Sequence, residues 1–206
     1  MSHRQLGVVV LVWLVLAAIG IGAMLDFELT PAQSAKATTA WPADSQLKRD
    51  RHRPTLVMFI HPHCPCSRAS LAELGVVAAN SQGQADLHVL IIKPHDFDDG
   101  WEKTDLLASA KSIPSVTVHI DNDGAEAARF GAATSGETML FDCDGRRLFR
   151  GGITVSRGHE GDNPGVAALA ALLHAGRASV DATPVYGCSL FNRCTRDEDS
   201  ERQCKP

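Results

Sequence analysis

Thr55-Leu-Val-Met-Phe-Ile60 runs directly into His61-Pro-His-Cys-Pro-Cys66, and Ser67 opens a stretch with apolar residues at Leu71, Leu74, Val77 and Ala78. The first six residues are of strand length, with no charge among them, and read as a buried strand. The later spacing predicts a helix over 68–79. Two thiols, Cys64 and Cys66, are thereby placed at a strand-to-helix turn, in the first turn of the helix. Pro65 between them suits the first helical position, where an N–H is not needed. Free backbone N–H groups and the helix dipole at this place favour a thiolate over a thiol. A thiol of lowered pKa in an exposed turn is what attack on a disulfide requires. The plainer alternative is a pair of structural cysteines or a permanent bridge.

Downstream, Leu87–Ile92 reads as a second strand ended by Lys93-Pro94, and Trp101–Ala110 as a helix. Ser115–Ile120 reads as a third strand, closed by the turn residues Asp121-Asn-Asp-Gly124. Ala125–Phe130 is a short helix. Thr138–Phe141 and Arg147–Arg150 flank Asp142-Cys-Asp-Gly145 and read as a β-hairpin. Val166–His174 is a last helix. The order strand, helix, strand, helix, strand, short helix, hairpin, helix predicts an α/β domain with a mixed central sheet flanked by helices.

Upstream, Leu6 to Leu25 carries no charge and is long enough to cross a bilayer as one helix. Arg4 precedes it and Asp26 and Glu28 follow it. Positive-inside logic keeps the N-terminus in the cytoplasm and exports the rest. No small-x-small site lies close behind the span, which favours an uncleaved single-pass anchor in the inner membrane over a cleaved signal. The domain is then expected in an oxidising space, the periplasm of a bacterium, where cysteine pairs can be disulfides. The expected boundaries are an anchor at 1–29, a polar Ala/Thr/Ser/Pro linker at 30–53, the domain at 54–180 and a cysteine-containing tail at 181–206. Over all 206 residues, 44% hydrophobic and 21% charged residues exclude a disordered chain. A net charge of −4 gives no basic field, so no nucleic-acid partner is expected.

The remaining chemistry-bearing residues leave alternatives open. Cys143 lies between Asp142 and Asp144, whose charges disfavour a thiolate. In the tail, Cys188 and Cys194 read as a structural disulfide, or Cys188 resolves a mixed disulfide at Cys64. His61, His63, Cys64 and Cys66 form a soft cluster of a kind that selects copper or zinc.

The segment Thr55–Leu74 resembles the active-site segment of the thioredoxin superfamily, in which an apolar strand enters a two-cysteine turn opening a helix. Ile120–Gly131 followed by Thr134–Gly145 resembles the membrane-anchored TlpA, Sco and peroxiredoxin-like branch. The His-Pro-His-Cys-Pro-Cys turn is most similar to that of RedB-type proteins. The resemblance covers about residues 54–176 and implies a thioredoxin-like fold behind the N-terminal transmembrane helix. It implies a thiol–disulfide oxidoreductase with Cys64 as nucleophile, Cys66 as resolving thiol, client protein thiols or disulfides as partners, and no organic cofactor. Sco-like relatives imply the alternative of a copper-binding metallochaperone using Cys64, Cys66, His63 and His159. A thiol peroxidase is a further alternative, although its Thr or Ser three residues before the cysteine is here His61. The turn is Cys-x-Cys, one residue shorter than usual, and a bridge between residues two apart is strained and easily reduced. Counting back from Gly145, the position of the family's cis-proline facing the cysteines falls on Glu137.

The hairpin geometry carries one more expectation. The chain reverses twice after the first strand, so the loop 151–163 returns to the end of the sheet that bears Cys64. That loop carries Arg157, expected as a thiolate-stabilising cation, and His159, expected as a proton shuttle or distant metal ligand.

Overall fold

The computed structural model describes residues 2–32, 38–81 and 83–191. They fall into two units, residues 1–30 and 31–206. The first is α1, His3–Leu29, whose N-terminus is closed by a reciprocal cap between Ser2 and Gln5. At ~1.5 Å per residue its length exceeds the ~30 Å hydrocarbon thickness of a bilayer. It is long and apolar enough to cross a membrane.

The second unit contains β1 (Thr55–Ile60), α2 (Ser67–Ser81), β2 (Asp86–Lys93), α3 (Asp105–Ser112), β3 (Val116–Asn122), α4 (Ala125–Phe130), β4 (Glu137–Phe141), β5 (Arg147–Gly151) and α5 (Pro164–Ala175). The five strands form one sheet in the order β3-β2-β1-β4-β5. β1, β2 and β3 are parallel, and β4 runs antiparallel to both β1 and β5. This is the thioredoxin-like arrangement expected from the resemblance. The predicted strands and helices are all present, with ends moved by a few residues; α3 starts four residues later than expected.

β1 is buried along its whole length because it pairs on both sides and is covered on both faces. Leu56, Met58 and Ile60 join Leu74, Leu87, Val89, Leu107, Phe149 and Leu169 in a cluster on one face, beneath α2, α3 and α5. The parallel β1–β2 and β2–β3 connections step in one direction, and α2 and α3 both pack into that cluster. Val57 and Phe59 point the other way, into a cluster with Phe130, Met139, Phe141 and Leu190.

Among the described residues, the six-residue α4 is the one helix that covers that second face. Segments read as linker and tail complete it. Trp41 packs edge-on against Phe130 and Phe141, at centroid distances of 5.0 and 5.2 Å. Leu47 joins the same cluster. Backbone bonds from Trp41 N to Gly145 O (2.7 Å) and from Arg147 N to Thr39 O (3.0 Å) hold residues 38–41 along the hairpin. Composition alone makes residues 38–50 look like a spacer; their few apolar side chains in fact cover the sheet.

Candidate functional site

β1 ends at Ile60, and the chain turns through 61–66 before α2 begins at Ser67. Cys64 N donates to His61 O (3.0 Å), and Ser67 N donates to Cys64 O (3.1 Å). Both thiols therefore lie in the turn just ahead of the helix, one step earlier than expected. The exposed Pro65 forms the tip, its carbonyl accepting from Arg68 N at 3.3 Å.

β4 starts level with the end of β1, Glu137 opposite Phe59. The segment before β4 is therefore the turn's neighbour. Gly136 N donates to Phe59 O (2.7 Å), His61 N to Ser135 Oγ (2.7 Å), and the Ser67 and Ser135 hydroxyls bond at 2.6 Å. Ser135 and Gly136 are the residues that face the cysteine turn, and counting back from Gly145 to Glu137 stops one residue short. Glu137 does not line the cysteines. Its buried carboxylate accepts from Arg150 Nε (2.6 Å) and from Ala133 N (3.0 Å), clamping the segment 133–137 from behind. Gly136 sits at φ +88°, and a Cβ there would meet Ser70 Oγ, so glycine suits this position.

A third thiol joins the pair. Thr134 and Ser189 form an antiparallel bridge, flanked by hydrogen bonds from Ser135 N to Cys188 O (2.8 Å) and from Leu190 N to Ala133 O (2.8 Å). This lays Cys188 over the turn, with its N–H on Cys64 Sγ at 3.4 Å. Cys64 is 1% exposed, whereas Cys66 is partly exposed. Cys64 is the less exposed of the two although it comes first in the turn, because its cover comes from a segment 124 residues away.

The electrostatics separate the three. Cys64 is held far below the usual thiol range, first by the Cys188 side chain donating to it, then by Cys66, with Ser67 and the Cys188 N–H adding to this against burial. Hydrogen bonds from the two neighbouring thiols thus lead the stabilisation of the thiolate. For Cys66, a hydrogen bond with Cys188 and the charge of Arg157 pull the pKa down. Bonding to Cys64, burial and the charge on Cys64 outweigh them, and the thiol is shifted up. Cys188 is shifted strongly up by bonding to Cys64 and Cys66, by burial and by both neighbouring charges. Of the three, Cys64 is the one its surroundings favour as a thiolate, with the other two placed as donors to it.

The imidazoles stand on the other side of the turn. His61 is buried, which lowers its pKa; the charge on Cys64 opposes this and His63 adds to it. Its Nδ1 accepts from His63 N (3.2 Å), so the neutral ring carries its proton on Nε2, for which no described partner exists. Trp101 packs against both rings, at 5.3 Å from His61 and 4.6 Å from His63, and stacks on Phe97 at 4.8 Å. Sequence reasoning missed this aromatic wall; a Trp in a loop following a strand's C-terminal end was the available signal.

The loop 151–163 does run at this end of the sheet. Gly151 pairs with Thr138, and Gly161 N bonds the Glu73 carboxylate of α2 at 2.6 Å. Arg157 donates to Gly187 O (2.6 Å) and its charge acts on Cys66. His159 is exposed, with Nδ1 on the Arg157 carbonyl at 2.8 Å. His63 Nε2 is likewise engaged, on Trp101 O at 2.9 Å. Among the described residues no group of three or more His, Cys, Asp or Glu side chains is arranged to hold a metal ion, so the set considered for copper is not assembled. Cys143 lies in the β4–β5 turn at the opposite end. Cys194 falls outside the described residues.

No family model and no curated protein matches the chain. Among solved structures, an uncharacterized conserved protein from Geobacillus kaustophilus is 22% identical, with 79% of this chain and 92% of that one covered at a TM-score of 0.57. A hypothetical protein from Sinorhizobium meliloti is 21% identical, over 78% and 97%, at 0.58. A secreted Mycobacterium tuberculosis disulfide oxidoreductase homologous to E. coli DsbE is 18% identical, over 60% and 82%, at 0.43. The first two show the same fold.

Proposed function

We propose that the chain is a membrane-anchored thiol–disulfide oxidoreductase acting on protein thiols or disulfides in the periplasm, related most nearly to the RedB-type branch its turn resembles. The single observation that carries this is the meeting of three free cysteines, Cys64, Cys66 and Cys188, at the end of the buried central strand, with the Cys188 N–H on Cys64 Sγ at 3.4 Å. Cys64 attacks one sulfur of a client disulfide. The Cys64–client bond forms, the client S–S bond breaks, and the departing client sulfur takes a proton. A second thiol of the site then attacks Cys64 Sγ and releases the client's other sulfur, leaving the client reduced and the site oxidised. No organic cofactor is needed for this exchange.

The test is insulin-disulfide reduction by the full chain with dithiothreitol as electron source. Cys64→Ser is expected to lower the rate to that of dithiothreitol alone. A Cys64→Ser chain as active as the wild type would sink the reading. Export is tested separately, by fusing alkaline phosphatase, active only outside the cytoplasm, after Arg53. Activity is expected in the membrane fraction; activity in the soluble fraction would mean that α1 is cleaved.

A further inference from the structure

Residues 181–190 take a course along the molecule that packing alone does not require. Ala182 pairs in parallel with Arg150 at the free edge of β5, fixed by bonds from Arg150 N to Asp181 O (2.9 Å) and Thr183 N to Arg150 O (3.2 Å). Gly152 N then donates to Pro184 O (3.2 Å), and Ala32 N to Val185 O (2.9 Å). Arg157 grips the carbonyl of Gly187. The chain crosses to residues 133–135 and pairs there as a short antiparallel strand, and Leu190 buries itself in the core at 2% exposure. Two glycines make the close approach possible. A Cβ at Gly187 would fall on the Ser135 carbonyl oxygen, and one at Gly152 would meet Pro184 O at 2.6 Å. This arm is held at both ends, and the residue between them is Cys188, beside Cys64.

We infer that Cys188 is a third redox cysteine, delivered by a strand-paired arm to resolve mixed disulfides at Cys64 as a Cys64–Cys188 disulfide. The inference rests on the thiol-exchange function proposed above. It assigns the resolving step to Cys188 in place of Cys66, which stands only two residues from Cys64 and would close a strained ring. The step balances. Cys188 loses its proton to solvent, its sulfur bonds Cys64 Sγ, the Cys64–client bond breaks, and the client sulfur leaves as a thiolate that takes up a proton. Two electrons pass from the Cys64 and Cys188 thiols to the client disulfide over the whole cycle. The order is self-timed. While Cys64 is an anion, its charge helps keep Cys188 protonated. Once Cys64 is capped by a client, that charge is gone, and Cys188 becomes the better nucleophile when it is needed.

The experiment uses the reduced full chain in detergent, oxidised glutathione as the probe disulfide, acid quenching and mass-spectrometric mapping. Cys66→Ser is expected to expel the glutathione and show a Cys64–Cys188 link. The double variant Cys66→Ser/Cys188→Ser is expected to retain glutathione on Cys64. Gly187→Ala keeps every thiol but lifts the arm. It is expected to lose the Cys64–Cys188 link and to let iodoacetamide reach Cys64 at least about tenfold faster, because exposure as well as thiolate content sets thiol reactivity. Glutathione retained on Cys64 in Cys66→Ser, or a Cys188–Cys194 link in the oxidised wild type, overturns the assignment of Cys188 while leaving the exchange function standing. A Cys66→Ser/Cys188→Ser variant whose Cys64 takes up no glutathione overturns both.

Discussion

A thiolate at Cys64 is stabilised by groups that are themselves thiols, and this gives the site an unusual pH response. Cys64 lies below the ordinary range and Cys66 and Cys188 lie above it. The Cys64 anion is therefore expected to persist on acidification to a lower pH than a free cysteine's, and both neighbours are expected to ionise at higher pH than a free thiol. Cys188→Ser removes the largest contribution and is expected to move the Cys64 titration to higher pH, read from the thiolate ultraviolet absorbance. An unmoved titration would show that the helix end, and not Cys188, holds the charge. The location of the thiols was legible in the sequence, since an apolar strand, a proline-bracketed turn and a helical spacing are local patterns. Their relative exposure was not, because what covers Cys64 is remote in sequence. Glu137 shows the same limit: a count from Gly145 placed a residue near the cysteines, but the turn at Gly136 decides which neighbours face them.

Among the elements, the segment 133–137 links the cysteine turn, the arm and the hairpin. Its position depends on the buried Glu137–Arg150 pair at 2.6 Å, with the Ala133 N–H as a further donor. Removing one partner of a buried ion pair costs about 3–5 kcal/mol. Glu137→Ala is therefore expected to lower unfolding free energy by about that amount in urea titrations, and to loosen the arm, whose strand pairing uses the neighbouring residues. A stable variant, changed by less than about 1 kcal/mol, would mean that Arg150 finds equivalent acceptors. The antiparallel hairpin was readable from Asp142–Gly145, and with it the return of the loop 151–163 to the thiol end. The docking of residues 187–190 as a strand was not, because Gly187-Cys188-Ser189-Leu190 has no alternation long enough to mark one.

For the molecule as a whole, the two faces of the sheet are built differently. One has three helices, while the other depends on α4, residues 38–50 and the arm. Composition placed the domain boundary at residue 54, because polar stretches with a single Trp read as spacers. A domain starting at residue 54 is therefore expected to unfold at lower urea concentration than one starting at residue 38. Trp41→Ala in the full chain should cost about 3 kcal/mol, since it strips a large aromatic from Phe130 and Phe141. Equal midpoints for the two lengths would return residues 38–50 to the role of a tether. Leu190 carries a further consequence. Its side chain lies in the same cluster as Phe59 and Phe130, so lifting the arm far enough to admit a bulky client returns a leucine to water. That exposure costs about 2 kcal/mol, which leaves only about 3% of molecules open at any moment. A client that needs the open form then binds about thirtyfold more weakly than its contacts alone would allow, whereas a small disulfide that slips past the arm escapes that penalty.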